Sequence, residues 1–158
     1  MSDWFDIEFN DRVHSASKRH RKGRSLQAAE AELKVLDTED LKESIDWREV
    51  GAITEPLSQG ECGACWAITA ASALEAAHFI ENGDLITVST QQLIDCSKHE
   101  GNFGCEGGYI DYGFEYTKTN PVVEADVYPY SQKESKTCEL SKKIRGKNVK
   151  TIQVQDHF

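Results

Sequence analysis

The sequence predicts a mainly helical fold. Three observations carry the prediction. From Trp66 to Ile80 the residues are mostly good helix formers, six of them alanine. The polar residues Thr69, Ser72, Glu75, His78 and Glu81 recur every third position as one drifting stripe, so most of the circumference is apolar and the helix is expected to be buried on most sides. Glycines punctuate both ends: Gly60 and Gly63 make a loop before it, and Asn82-Gly83 follows as a C-cap pair. The helix expected over 65–81 is roughly 25 Å long.

The chain has 158 residues, 39% of them hydrophobic, which is about one domain's worth with a real but modest core. Its formal net charge of -9 argues against nucleic acid as a partner. The polar stripe of the long apolar stretch excludes a membrane span. Lys18, Arg19, Arg21, Lys22 and Arg24 form a basic cluster, followed by Glu30, Glu32, Asp37, Glu39, Asp40 and Glu43. Such paired blocks read as a solvated arm, loose up to about residue 43 or forming one short helix around Leu26–Leu36. The opening "MSDWFDIEFN" has no basic and then apolar run of the signal-peptide kind, and no N-x-[ST] sequon occurs.

The cysteines are Cys62, Cys65, Cys96, Cys105 and Cys138. An odd count flags a free thiol, and five in a chain of this size suits an oxidising compartment. The pair in "QGECGACWA" admits three readings. A zinc site lacks a second C-x-x-C, and the spacing of Cys96, His99 and Cys105 is poor for one. A thiol–disulfide exchanger normally carries Trp before the first cysteine, whereas Trp66 follows the second. The third reading splits the pair: Cys62 bonds elsewhere, and Cys65 stays free at the helix start, where the helix dipole and free N–H groups favour the nucleophilic thiolate.

"QGECGACWA" resembles the nucleophile segment of papain-like cysteine peptidases, whose signature is C-G-[SA]-C-[WY]. "IDWREVGAIT" resembles the start of the mature enzyme. "VSTQQLIDCS" resembles its second helix, and "GCEGGYIDYGFEY" its Gly-Gly cleft segment with the helix after it; "VYPY" and Cys138 fit the region beyond. The resemblance covers about residues 45 to 140. It implies Cys65 as nucleophile and the Gln59 amide, with the Cys65 N–H, as oxyanion donors. It places Gly63, Trp66, Gly107, Gly108, Tyr109 and Ile110 along the substrate site. It implies disulfides Cys62–Cys105 and Cys96–Cys138, a peptide or protein substrate, and no cofactor or metal.

The fold expected from the resemblance is the helical left-hand domain of the papain-like (α+β) fold, with the β-barrel domain mostly missing. Further helices are expected near 90–96 and 108–118, and a strand near 148–155. Residues 1–43 take the place of a propeptide and 44–158 that of the N-terminal half of the peptidase domain. The catalytic His and Asn of the family lie roughly 130–150 residues beyond the nucleophile. His14, His20, His78, His99 and His157 do not match that position. The expectation is a truncated product, inactive alone or served by a complementing C-terminal half. The alternatives are a non-catalytic peptide- or propeptide-binding module and, more weakly, a C-x-x-C exchanger. His99 and Asn102, in "SKHEGNFG", read as solvated loop residues. Disulfides and family imply a lysosomal, vacuolar or extracellular location.

Overall fold

A computed structural model describes residues 41–153. The basic cluster, the short helix expected around Leu26–Leu36, His14, His20 and His157 lie outside the described residues. Helix α1 (Cys65–Asn82) is the central element, and the Gly83 N–H closes it by donating to the Phe79 carbonyl at 2.8 Å. Helix α2 (Thr90–Cys96) is capped by Ser89, whose hydroxyl accepts from the Gln92 N–H at 2.9 Å. Helix α3 (Ile110–Thr119) crosses α1, and α4 (Leu140–Ile144) is one short turn near the end. Small residues set the α1–α3 crossing: a Cβ on Gly113 would come within 3.1 Å of the Ala70 methyl.

Strands β1 (Val122–Val123) and β2 (Thr151–Ile152) pair antiparallel, with Val122 opposite Ile152 and Val123 opposite Thr151. Val88 extends the pairing by a single bridge to Glu124. Of the strand expected near 148–155, residues 148–150 and 153 are not strand, and 154–155 lie outside the described residues. Its partner is only two residues long, because Pro121 precedes it without a donor and Glu124 has turned to Val88. Helix α3 begins two residues later than expected, since Gly107 (φ 117°) and the extended Tyr109 belong to the preceding loop.

The core is the face of α1 bearing Trp66, Ala67, Ala70, Ala71 and Leu74, packed on Leu93 and Ile94 of α2 and Tyr116 of α3. Burial on most sides holds only for its first turns. Ser72, Ala73 and Ile80 are exposed, because the later turns run past the packed helices. Glu75, part of the expected polar stripe, is instead buried. It accepts hydrogen bonds from the Thr54 hydroxyl at 2.7 Å and the Val88 N–H at 2.8 Å. Burial pushes its carboxyl above the usual range, and those two donors pull it part of the way back. Gln92 is likewise buried, donating to the Tyr116 hydroxyl and the Pro121 carbonyl and accepting from the Val123 N–H. These polar groups tie α2 to α3 and β1 across the apolar core. Leu41, Ile45, Trp47, Val50, Ile53 and Leu57 are exposed along the first described segment.

Candidate active site

The turn before α1 is pinned at two points. Cys62 is 1% exposed and bonded to Cys105, and the Gly63 N–H donates to the Cys105 carbonyl at 2.8 Å. A Cβ on Gly63 would sit 2.5 Å from that carbonyl oxygen, so the approach needs glycine. Upstream, the Tyr130 hydroxyl donates to the Gln59 carbonyl at 2.7 Å. The chain between Gln59 and Cys65 thus has little freedom, and Cys65 begins α1 with an exposed free thiol. No acidic residue occupies the first turn of α1. The Ile68 N–H bonds back to Ala64, so the N–H groups ahead of it point out of the helix end. Gln59 is half-buried, and its side-chain amide takes no hydrogen-bond partner among the described residues.

The Gly-Gly segment stands on the other side of the disulfide. Trp66 is buried, with its indole N–H on the carbonyl of Gly104, three residues before that segment, at 3.2 Å. Trp66 thus packs beneath the loop that leads into this segment. A Cβ on Gly108 would meet the Trp66 ring at 2.8 Å and Asn102 Oδ1 at 2.4 Å. Gly107 accepts from the Phe103 N–H at 2.9 Å, and Ile110 is exposed at the head of α3. Tyr109 is half-buried, with its ring edge-on to Tyr112.

Asn102 corrects the sequence reading most clearly. It is 2% exposed, accepts from the Tyr109 N–H at 2.8 Å and donates to Ser97 Oγ at 2.9 Å. Ser97 Oγ in turn donates to the Leu93 carbonyl at 2.7 Å. The end of α2 thereby fixes the Gly107–Tyr109 backbone. The available signal was a short amide between two glycines, a residue type that bonds to nearby backbone. His99 is exposed, as read.

The described histidines are His78 and His99, and neither is hydrogen-bonded to Cys65. His78 lies thirteen residues along α1, roughly 20 Å away by helix rise. Its Nε2 is 3.2 Å from Asp84 Oδ1, while its Nδ1 faces the Asn82 amide. The C-x-x-C exchange reading does not fit either, since Cys62 is buried and bonded to Cys105. Cys96 pairs with Cys138, which leaves Cys65 as the free cysteine.

The chain belongs to the papain family: the family's sequence model, described as papain family cysteine protease, matches residues 41–157. It is 42% identical over 148 residues to a cathepsin L-like proteinase of Phaedon cochleariae, covering 92% of this chain and 43% of that protein. It is 42% identical over 136 residues to procathepsin L of Mus musculus, covering 85% of this chain and 39% of that one. Among solved structures, a cysteine protease of Carica candamarcensis in complex with E-64 aligns with a TM-score of 0.62 and 32% identity, over 73% of this chain and 50% of that chain. The chain thus spans about two fifths of the length of these two curated relatives.

Proposed function

We propose that this chain supplies the thiol side of a papain-type endopeptidase centre. The observation that carries the reading is Cys65, free and exposed at the start of α1 beside the pinned Gln59 loop. In this reading the Cys65 thiolate attacks a peptide carbonyl, and the Gln59 amide and the Cys65 N–H hold the developing oxyanion. Collapse expels the amine and leaves an acyl-enzyme, which water hydrolyses. An extended peptide lies along Gly107 and Gly108, hydrogen-bonded to backbone that carries no side chain in its way. Tyr109 and Ile110 line the adjoining pocket, and Gly63 lets the nucleophile turn and this wall approach.

Acyl transfer needs an imidazole to form the ion pair and to protonate the leaving amine. In this reading it comes from outside the described residues, on this chain or on a complementing polypeptide, and residues 44–158 act as the helical half of the peptidase domain behind a propeptide-like 1–43. Two disulfides and the cathepsin L-like relatives support a lysosomal or secretory compartment. The test is hydrolysis of a fluorogenic peptide by the chain alone and with an imidazole-bearing C-terminal half from a relative. Turnover that appears on mixing and disappears in Cys65→Ser supports the reading. No turnover in the mixture, with tight peptide binding retained, would favour a non-catalytic binding module.

A further inference from the structure

The Cys96–Cys138 disulfide lies in the wall of a surface cavity of about 290 Å³, near the small end of the roughly 300–1,000 Å³ typical of small-molecule sites. Asp95, Lys98, His99 and Lys136 line the same cavity. The charges there are not equivalent. Both Asp95 oxygens are committed, Oδ1 to the Ser135 N–H at 2.7 Å and Oδ2 to the Tyr128 hydroxyl at 2.6 Å. Lys98 is shared with Glu134 at 3.6 Å and the Ser135 carbonyl at 3.3 Å. Lys136 and His99 are exposed and take no partner among the described residues. In a chain of net charge -9, the cavity mouth therefore offers the Lys136 ammonium to a small anion, with a disulfide in the wall behind it.

We propose that this cavity is a reversible S-thiolation site for net-anionic low-molecular-weight thiols. The incoming thiolate attacks the sulfur of Cys138, which is exposed where Cys96 is half-buried. A new S–S bond forms to Cys138, the Cys96–Cys138 bond breaks, and Cys96 leaves as thiolate. Lys136, two residues from Cys138, faces the carboxylates of the incoming thiol. Cys96 ends α2, where the helix dipole opposes a negative charge, and the Lys98 ammonium in the same cavity offsets it. Return of the Cys96 thiolate onto Cys138 expels the small thiol and restores the bond. The chain stays in place for that return. Gln91 holds the Lys133 carbonyl at 2.7 Å, Asp95 holds the Ser135 N–H, and the Tyr128 hydroxyl accepts from the Glu139 N–H at 3.3 Å. The other disulfide is less accessible on both sides, since Cys62 is buried and Cys105 half-buried.

The test exposes the oxidised chain to limiting glutathione or, separately, to uncharged 2-mercaptoethanol, followed by acid quench, alkylation and mass mapping. Expected are glutathione on Cys138, Cys96 alkylated, Cys62–Cys105 intact and an unchanged far-UV spectrum. Glutathione should open this bond faster, relative to 2-mercaptoethanol, than it opens a small-molecule disulfide, by about threefold or more. That preference should shrink in high salt and in Lys136→Glu. Opening of Cys62–Cys105 first, a mixed disulfide only at Cys96, a loss of far-UV signal on opening, or a preference untouched by salt and by Lys136→Glu would each overturn the proposal.

Discussion

The two disulfides enclose almost equal stretches, with sequence separations of 43 and 42. By chain entropy each restricts the unfolded state by about 4 kcal/mol. They differ in what they hold. Cys62–Cys105 is a short clamp between the nucleophile turn and the loop before the Gly-Gly wall, reinforced there by the bond from the Gly63 N–H to the Cys105 carbonyl. Cys96–Cys138 fastens a segment that polar groups of α2 already hold at several points. Equal loop lengths therefore do not mean equal roles: the first bond fixes geometry at the site, and the second adds stability to a contact that exists without it.

The sharpest way to break that contrast is to remove each bond in turn. Cys62→Ser with Cys105→Ser should cost about 4 kcal/mol in denaturant unfolding and bring labelling of Cys65 by a peptidyl electrophile down to the rate of an unfolded chain. Cys96→Ser with Cys138→Ser should cost a similar amount while leaving that labelling intact under folding conditions. Equal labelling loss in both pairs would erase the distinction.

Next in size is Asn102→Ala, which leaves the Tyr109 N–H and Ser97 Oγ without their partner and should cost about 3 kcal/mol. Amide exchange at Tyr109 should accelerate well beyond that at β1. Gly108→Ala drives a methyl into Asn102 and Trp66 and should cost about 2 kcal/mol. Its second signature is lost peptide selectivity in the labelling of Cys65.

The smallest effect is a pH profile. Burial raises the Glu75 carboxyl above its ordinary value of 4.5, so the folded chain holds that proton more tightly than the unfolded one. The resulting stability is present below about pH 4.5 and is lost as pH rises through the folded-state value. Glu75→Gln cannot ionise, so its stability relative to the parent should grow above pH 4.5. A difference that stays flat with pH would show that Thr54 and Val88 fully compensate for burial.

Sequence alone placed α1 within one residue, because alanine-rich periodicity and the Asn82-Gly83 stop are local signals. The α2 span, carried by resemblance, coincides with the observed Thr90–Cys96. The misses share a physical origin. Asn102, Gln92 and Glu75 are polar in sequence yet buried, since each has partners from other segments of the chain, and no window around the residue displays them. Strand β1 escaped because two residues carry no alternation to read.

The most direct measurement compares labelling of Cys65 by a peptidyl electrophile with labelling by iodoacetamide, mapped by mass spectrometry on the oxidised chain and on the same chain in denaturant. If Cys65 stands beside a working substrate wall, the peptidyl reagent should gain strongly on iodoacetamide in the folded chain alone, and the gain should fall in Gly108→Ala. Equal relative rates in the folded and denatured chains would mean that the thiol is merely exposed, and the proposed site would be wrong.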